Sequence, residues 1–272
     1  MTSPQDPVTF PLLRNRLKER LTAGQLSICL RTTLVSTTEI AFIAHAAGFD
    51  ALYVDLEHCT ASLSETGQVC AAATALGLTS LVRLSSASDT ASGKLLDAGS
   101  QGIIAPHVDT PAQARDVVAA SKFPPLGDRS APGPTFQLGY ASVSLSQLGQ
   151  HMNDATLVVV MLESQDGIDN AAEIASVDGV DMVLVGTSDL TYQLGVPGEH
   201  GHPVIRDAYQ KVADSCAGQA AFGVAGVSDL ALIADYVALG ARFVSAGRDV
   251  DFLLDGARKR VDSLRSLPRR TA

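Results

Sequence analysis

Glu163 closes the apolar run TLVVVML, Asp189 follows DMVLV through GTS, and Arg83 ends TSLV. The segment Asp55-Leu56-Glu57-His58 ends ALYV. Charged groups at the ends of β-branched runs sit where an α/β enzyme gathers its reactive side chains. Adjacent parallel strands lie roughly 4.8 Å apart, so Glu163 and Asp189 on neighbouring strands could grip one divalent ion. Two carboxylates that leave room for water and substrate oxygens suit Mg2+, Mn2+ or Co2+. The alternative is a pair of solvated acids on a rim. Arg83 presents a planar, permanently charged fork suited to a carboxylate or enolate oxygen, and an ion pair with Asp55 or Glu57 is compatible with that role. His58, beside acids at a strand end, suits general acid–base work. His107 reads as a structural residue within the fourth strand, His200 and His202 as shapers of the loop GVPGEHGHP, and His45 and His151 as helix residues.

The lysines point the same way by their placement. Lys18, Lys94, Lys122, Lys211 and Lys259 all fall on helical segments, and none ends a strand, where an imine-forming lysine would have to stand. This favours metal over imine catalysis. Cys29, Cys59, Cys70 and Cys216 form no CxxC pair and no zinc-like cluster. They read as free thiols in a reducing compartment, and Cys59 as a small apolar filler rather than a reactive thiol.

These positions need a scaffold of alternating strands and helices. Strands are expected over 27–33, 51–56, 79–84, 102–108, 156–162, 181–185, 220–225 and 242–246. Helices are expected over 38–47, 63–76, 91–98, 111–121, 167–176, 204–217, 229–239 and 250–264. Thr110, Asp166 and Ser228 stand where N-caps belong, and Gly48, Gly77, Gly99, Gly218 and Gly240 stand at helix exits. Eight strand–helix units in 272 residues imply a single-domain α/β barrel of the TIM, (β/α)8, type over 1–272, with tails at 1–10 and 266–272. An open doubly wound sheet is the runner-up, weakened because no GxGxxG follows the first strand. An extra amphipathic helix spans 10–22. Residues 124–155 form an insertion with a short helix near 145–151, read as a lid or partner contact. The apolar C-terminal helix is expected to exchange between subunits.

Hydrophobic residues are 46% of the chain and aromatic residues 5%, so the core is built from Ala, Val, Leu and Ile. The formal charge of −9 and the lack of a basic patch argue against nucleic acid and acidic membranes as partners. No apolar run reaches the ~18 residues of a membrane span. Without a basic-then-apolar leader near the start, the chain is expected to be cytoplasmic.

The segments AAGFDALYVDLEH, LVRL, LLDAGSQGIIAPHVDTPAQAR, KFPPLGDRS, MLES, VDGVDMVLVGTSDL and LGVPGEHGHP occur in that order. Together they resemble the HpcH/HpaI aldolase family of the pyruvate/phosphoenolpyruvate barrel superfamily, and FPPLGDRS is similar to its macrophomate-synthase-like branch. The resemblance implies a metal-dependent (class II) aldolase that joins or cleaves a 2-oxo acid and an aldehyde through a pyruvate-type enolate. It implies that Glu163 and Asp189 hold Mg2+ or Mn2+. Arg83 would bind the pyruvyl oxygens, His58 would move protons and Asp97 would orient that histidine. Backbone amides of Gly186, Thr187 and Ser188 would hold the substrate carboxylate, with Asp55 and Glu57 supporting from behind. A homohexamer, a trimer of swapped dimers, is the habit of the family. The chain departs from the pattern at Met161, where Gln is usual and where the side chain is expected to line the substrate pocket. It departs also at Ser130, at Thr187-Ser188 and at Arg248, where an apolar residue is usual. The rival activities on this scaffold are an oxaloacetate-type decarboxylase and a citrate-lyase-like enolate lyase. A non-catalytic binding barrel is disfavoured by the full set of Glu163, Asp189, Arg83 and His58.

Overall fold

The β-branched runs are buried on both faces, as strands of a parallel sheet wrapped in helices must be. Every residue is buried in β2 (Ala51–Asp55), β3 (Thr79–Arg83), β4 (Gly102–Ala105), β5 (Leu157–Leu162) and β6 (Met182–Gly186). With β1 (Ser27–Thr32), β7 (Ala221–Ala225) and β8 (Phe243–Arg248), they close into one parallel barrel in sequence order. The computed structural model describes residues 13–267. The expected tail 1–10, the start of the expected 10–22 helix and residues 268–272 lie outside that range.

The helices are α1 (Arg16–Thr22), α2 (Glu39–Ala47), α3 (Leu63–Ala75), α4 (Ser92–Asp97), α5 (Pro111–Ser121) and α6 (Leu145–Ala155). The second half adds α7 (Gln165–Asp169), α8 (Ala171–Ala175), α9 (Thr187–Gln193), α10 (Pro203–Cys216), α11 (Leu230–Ala238) and α12 (Asp249–Arg265). Side chains of alternate strand residues fill the barrel, among them Tyr53, Leu81, Ile104, Val159, Met161, Leu184 and Phe243. Leu17 of α1 joins that cluster, and the Leu17 amide donates to Thr79 Oγ1 at 3.0 Å, so α1 plugs the end where the strands begin. Strand faces that point outward pack against the helices.

Several expectations shift for local reasons. The helix expected over 167–176 is two short helices. Asn170 breaks them, and its side-chain amide donates to the Asp109 carbonyl at 2.7 Å. Ser164, not Asp166, caps the first, and Asp229, not Ser228, caps α11. Thr110 caps α5 as expected, in a reciprocal box with Gln113. The insertion, expected to be a lid or a partner contact, has two parts. It lies between α5 and β5, and α6 ends two residues before β5 begins. Its α6 therefore packs at the base of the barrel, whereas Asp128, Arg129 and Ser130 line a groove shared with His107 and the loop after β3. Leu148 and Met152 of α6 meet Phe123 and Leu138 at the base.

Candidate active site

The C-terminal ends of the strands surround a cavity of about 450 Å3. Arg83, Met161, Glu163, Asp189 and His58 all line it. Its acidic edge comes from β5 and β6, which are paired neighbours. Glu163 follows the last residue of β5, and Asp189 stands in the first turn of α9, directly after β6. Gly186 allows the approach. A Cβ at that position would lie 2.3 Å from Glu163 Oε1, so any larger residue would displace the carboxylate.

Glu163 is 2% exposed. Burial pushes its carboxyl up to about 7, against the opposing pull of the His107 ring, the His107 N–H and Arg83. A desolvated carboxylate facing a cavity calls for a positive partner. Among the described residues no three His, Cys, Asp or Glu side chains gather to hold an ion. Glu163 and Asp189 both line the cavity, and two carboxylates would be the protein's whole contribution to an ion bound between them. Such an ion would keep most of its shell for small oxygen ligands, as Mg2+, Mn2+ or Co2+ does.

Arg83 is fixed from behind. Asp55 and Arg83 are register partners on β2 and β3. Arg83 Nε and Nη2 donate to the two oxygens of Asp55 at 2.8 and 2.6 Å, and Nη1 pairs with Glu57 at 2.8 Å. Both alternatives read from the sequence for Arg83 are therefore compatible: it is ion-paired, and it still lines the cavity. Burial opposes charge on Asp55, but Arg83 and Arg31 outweigh it and hold the carboxyl below the usual range. The same carboxylate accepts the Glu57 and His58 amides at 3.1 and 3.3 Å, so it also sets the loop that carries His58. Arg83 Nη1 also approaches Met161 Sδ at 3.9 Å, a weak acceptor.

His107 belongs to this site and not to the body of the strand, as the sequence suggested. β4 stops at Ala105, and His107 takes a left-handed φ of 53°. Its amide donates to Glu163 Oε2 at 3.1 Å, its Nε2 meets Glu57 at 2.9 Å and its Nδ1 lies 3.3 Å from Glu163. Burial lowers the basicity of the ring, but Glu163 and Glu57 outweigh it and make the imidazole more basic than usual. Nothing in the sequence pattern distinguishes this turn from a longer strand.

Other candidates are placed differently. The Thr187 hydroxyl is buried against Tyr209 Oη and the Ala225 carbonyl, both at 2.7 Å. Thr187 lines the cavity alongside Gly186 and Ser188. Asp97 is not beside His58 in the same chain. It ends α4, pairs with Arg129 at 2.6 Å and lines a groove between α4 and α5 that His107 also lines. No lysine lines the 450 Å3 cavity. Lys122 is buried and its amine is lowered to about 8 by that burial. Its ammonium, however, donates to the carbonyls of Asn153 and Thr156, ahead of β5 and far from the mouth. Cys29, Cys59, Cys70 and Cys216 are free thiols, and burial raises the Cys59 thiol, which disfavours a thiolate beside His58.

Residues 34–255 match the HpcH/HpaI aldolase/citrate lyase family. The chain belongs to that family. A 4-hydroxy-4-methyl-2-oxoglutarate aldolase of Hapsidospora irregularis is 36% identical over 89% of this chain and 92% of its own length. The crystal structure of an HpcH/HpaI aldolase from Desulfitobacterium hafniense superposes with a TM-score of 0.88 at 29% identity, covering 94% of this chain and 99% of that one. Macrophomate synthase shares the fold, with a TM-score of 0.75 at 21% identity over 93% of this chain and 90% of its own. As an aldolase of this family the protein is a lyase that acts on carbon–carbon bonds. Among the described residues no helix is long and apolar enough to cross a membrane.

Proposed function

We propose that this HpcH/HpaI aldolase makes and breaks bonds beside the carbonyl of a 2-oxo acid, through an enolate, with a divalent ion held by Glu163 and Asp189. The observation that supports this most is the convergence of a desolvated Glu163, Asp189 and Arg83 on one cavity without a lysine. When bound, the ion supplies Lewis acidity toward a keto oxygen. Arg83, rigidly held by Asp55 and Glu57, directs guanidinium donors at the cavity where enolate charge develops, and pre-aimed donors of this kind cost no reorganisation during reaction. Backbone N–H groups from Gly186 to Ser188 at the start of α9 suit the substrate carboxylate. His58 removes the hydroxyl proton of the aldol during cleavage and returns it during addition. Met161 borders the methyl end of a pyruvate-like donor with a soft, apolar surface. Because Asp97 and His58 lie apart in one chain, a pairing between them would have to form between subunits. The aldehyde and 2-oxo acid partners are small molecules. Decarboxylation of oxaloacetate passes through the same enolate and is expected as a side reaction.

The test is exchange of the pyruvate methyl protons with deuterium, followed by NMR. Exchange should appear with Mg2+, Mn2+ or Co2+, vanish in EDTA and return when the ion is restored. Borohydride added with pyruvate should leave the protein mass unchanged. Full exchange in EDTA, or a pyruvyl-lysine adduct by mass spectrometry, contradicts the reading.

A further inference from the structure

Tyr53 of β2 is 1% exposed, and its ring packs in the apolar cluster inside the barrel with Leu81, Ile104 and Met161. Strand side chains alternate, so Tyr53 and Asp55 point to the same face. In the register of β2 on β3, Tyr53 stands opposite Leu81 and Asp55 opposite Arg83. The phenol therefore lies one layer beneath the Asp55–Arg83 pair, and it lines the 450 Å3 cavity. Its hydroxyl has no protein hydrogen-bond partner among the described residues and is not sealed in the core, so it opens onto the cavity. Burial pushes the phenol up to about 12, and the charges of Arg31 and Arg83 oppose that rise from close by. The group is thus a neutral O–H donor near neutral pH. A buried phenol takes a hydrogen-bond acceptor where one is offered, and here the contents of the cavity must offer it.

The state of Arg83 gives that donor a use. A guanidinium carries five N–H groups. Nε and Nη2 each donate to Asp55 and Nη1 pairs with Glu57, which takes three of the five and leaves two for a ligand. Asp55 and Glu57 also set two negative charges against the one on Arg83. Charge that develops on a keto oxygen beside Arg83 therefore meets a guanidinium whose donors and charge are largely engaged. We propose that the Tyr53 hydroxyl is a second donor to the enolate oxygen, beside Arg83, and so a catalytic residue of the reaction. This rests on the enolate reading above. A hydrogen bond strengthens as its acceptor gains charge, so Tyr53 favours the enolate over the bound ketone. The O–H proton stays on the tyrosine throughout.

Oxalate and pyruvate test this without turnover. Both present a carboxylate and an adjacent oxygen, which is anionic in oxalate, as in an enolate, and neutral in pyruvate. Calorimetry with Mn2+ in the buffer should show Tyr53→Phe weakening oxalate roughly tenfold or more and pyruvate less than about threefold, as loss of a hydrogen bond to a charged acceptor does. Pyruvate proton exchange at saturation should slow roughly tenfold or more, with KM little changed. The melting temperature should not fall, because phenylalanine keeps the ring in the barrel cluster and no protein hydrogen bond is lost. An oxalate-to-pyruvate affinity ratio that Tyr53→Phe leaves unchanged, or a lowered melting temperature, overturns the assignment. Exchange by the natural protein separates the two readings. Exchange with an unchanged ratio keeps the enolate chemistry and removes Tyr53 from it, while a shifted ratio without exchange keeps the Tyr53 donor and removes the enolate turnover.

Discussion

At the scale of single residues, Arg83 and His58 are assigned different steps, and their variants should separate. Arg83 faces enolate charge, and both aldol cleavage and decarboxylation pass through an enolate. Arg83→Ala should therefore lower both rates by roughly 10²-fold or more, the usual loss when an aimed donor to developing negative charge is removed. His58 handles a hydroxyl proton, which oxaloacetate does not have. His58→Ala should cost cleavage roughly 10²- to 10⁴-fold and decarboxylation far less. Parallel kinetics on a 4-hydroxy-2-oxo acid and on oxaloacetate read the difference, and equal losses for His58→Ala contradict its role. The placement of Glu163 and Arg83 at the mouth was legible because each ends an apolar strand run, and that of Asp189 because it follows one within a few residues. His107 was not legible. Its place depends on a left-handed turn at a non-glycine residue, and no periodicity signals that. Gly186 was read only as a source of backbone amides. That its missing Cβ makes room for Glu163 follows from the register of β5 on β6, which the sequence does not state.

At the scale of elements, strand cores were easier to read than connections. β-branched runs bury on both faces wherever they lie, so β2, β3 and β5 fall within a residue of expectation. The connections depend on single hydrogen bonds, as at Asn170, and on which end of a strand a segment meets, as with α6. Thr187–Gln193 forms α9 in a stretch to which no element was assigned, directly after Gly186. The join of α12 to the loop after β1 is another such connection, and its strength can be measured. Burial opposes charge on Asp249, but the amides of Val35, Thr33 and Leu34 outweigh it and hold the carboxyl below its usual range. A depressed acid stabilises the fold above its unfolded pKa of about 3.9 and loses that contribution as pH falls through the lower folded value. Asp249→Asn should thus destabilise by about 1.5–3 kcal/mol at neutral pH, the range for hydrogen bonds to a charged group. The melting gap between the natural protein and the variant should be constant from pH 7 to pH 5 and close below about pH 4. A gap unchanged at pH 3 would show that the carboxylate charge contributes nothing.

At the scale of the whole molecule, α12 poses the main problem of stability. It is 17 residues long, and Asp249 at its first position is its one buried residue. Phe252 is 47% exposed and Leu253 64%, and Leu254, Val261 and Leu264 are exposed on the same helix. On α2, Phe42 and Ile43 are each 57% exposed. Phe49, just past α2, meets Phe252 edge-on at 6.0 Å, so the two apolar surfaces adjoin. A helix of this length gains little stability in water by itself and needs an apolar face to pack on. Each large side chain left exposed forgoes about 1.5–3 kcal/mol of burial. A second copy of the chain presents the same surfaces, and a symmetric pair would cover α12 and α2 of both. We therefore expect an oligomer, with six subunits as three such pairs. Sedimentation should show a multiple of 28.3 kDa at micromolar concentration. Replacing Leu253 and Leu264 together with Glu places charges on the shared face and should reduce the assembly to smaller species, while the barrel core, which neither residue enters, keeps its circular dichroism. A natural protein that sediments only as a 28.3 kDa monomer would leave α12 without a second copy to cover it and would remove this account of its apolar face.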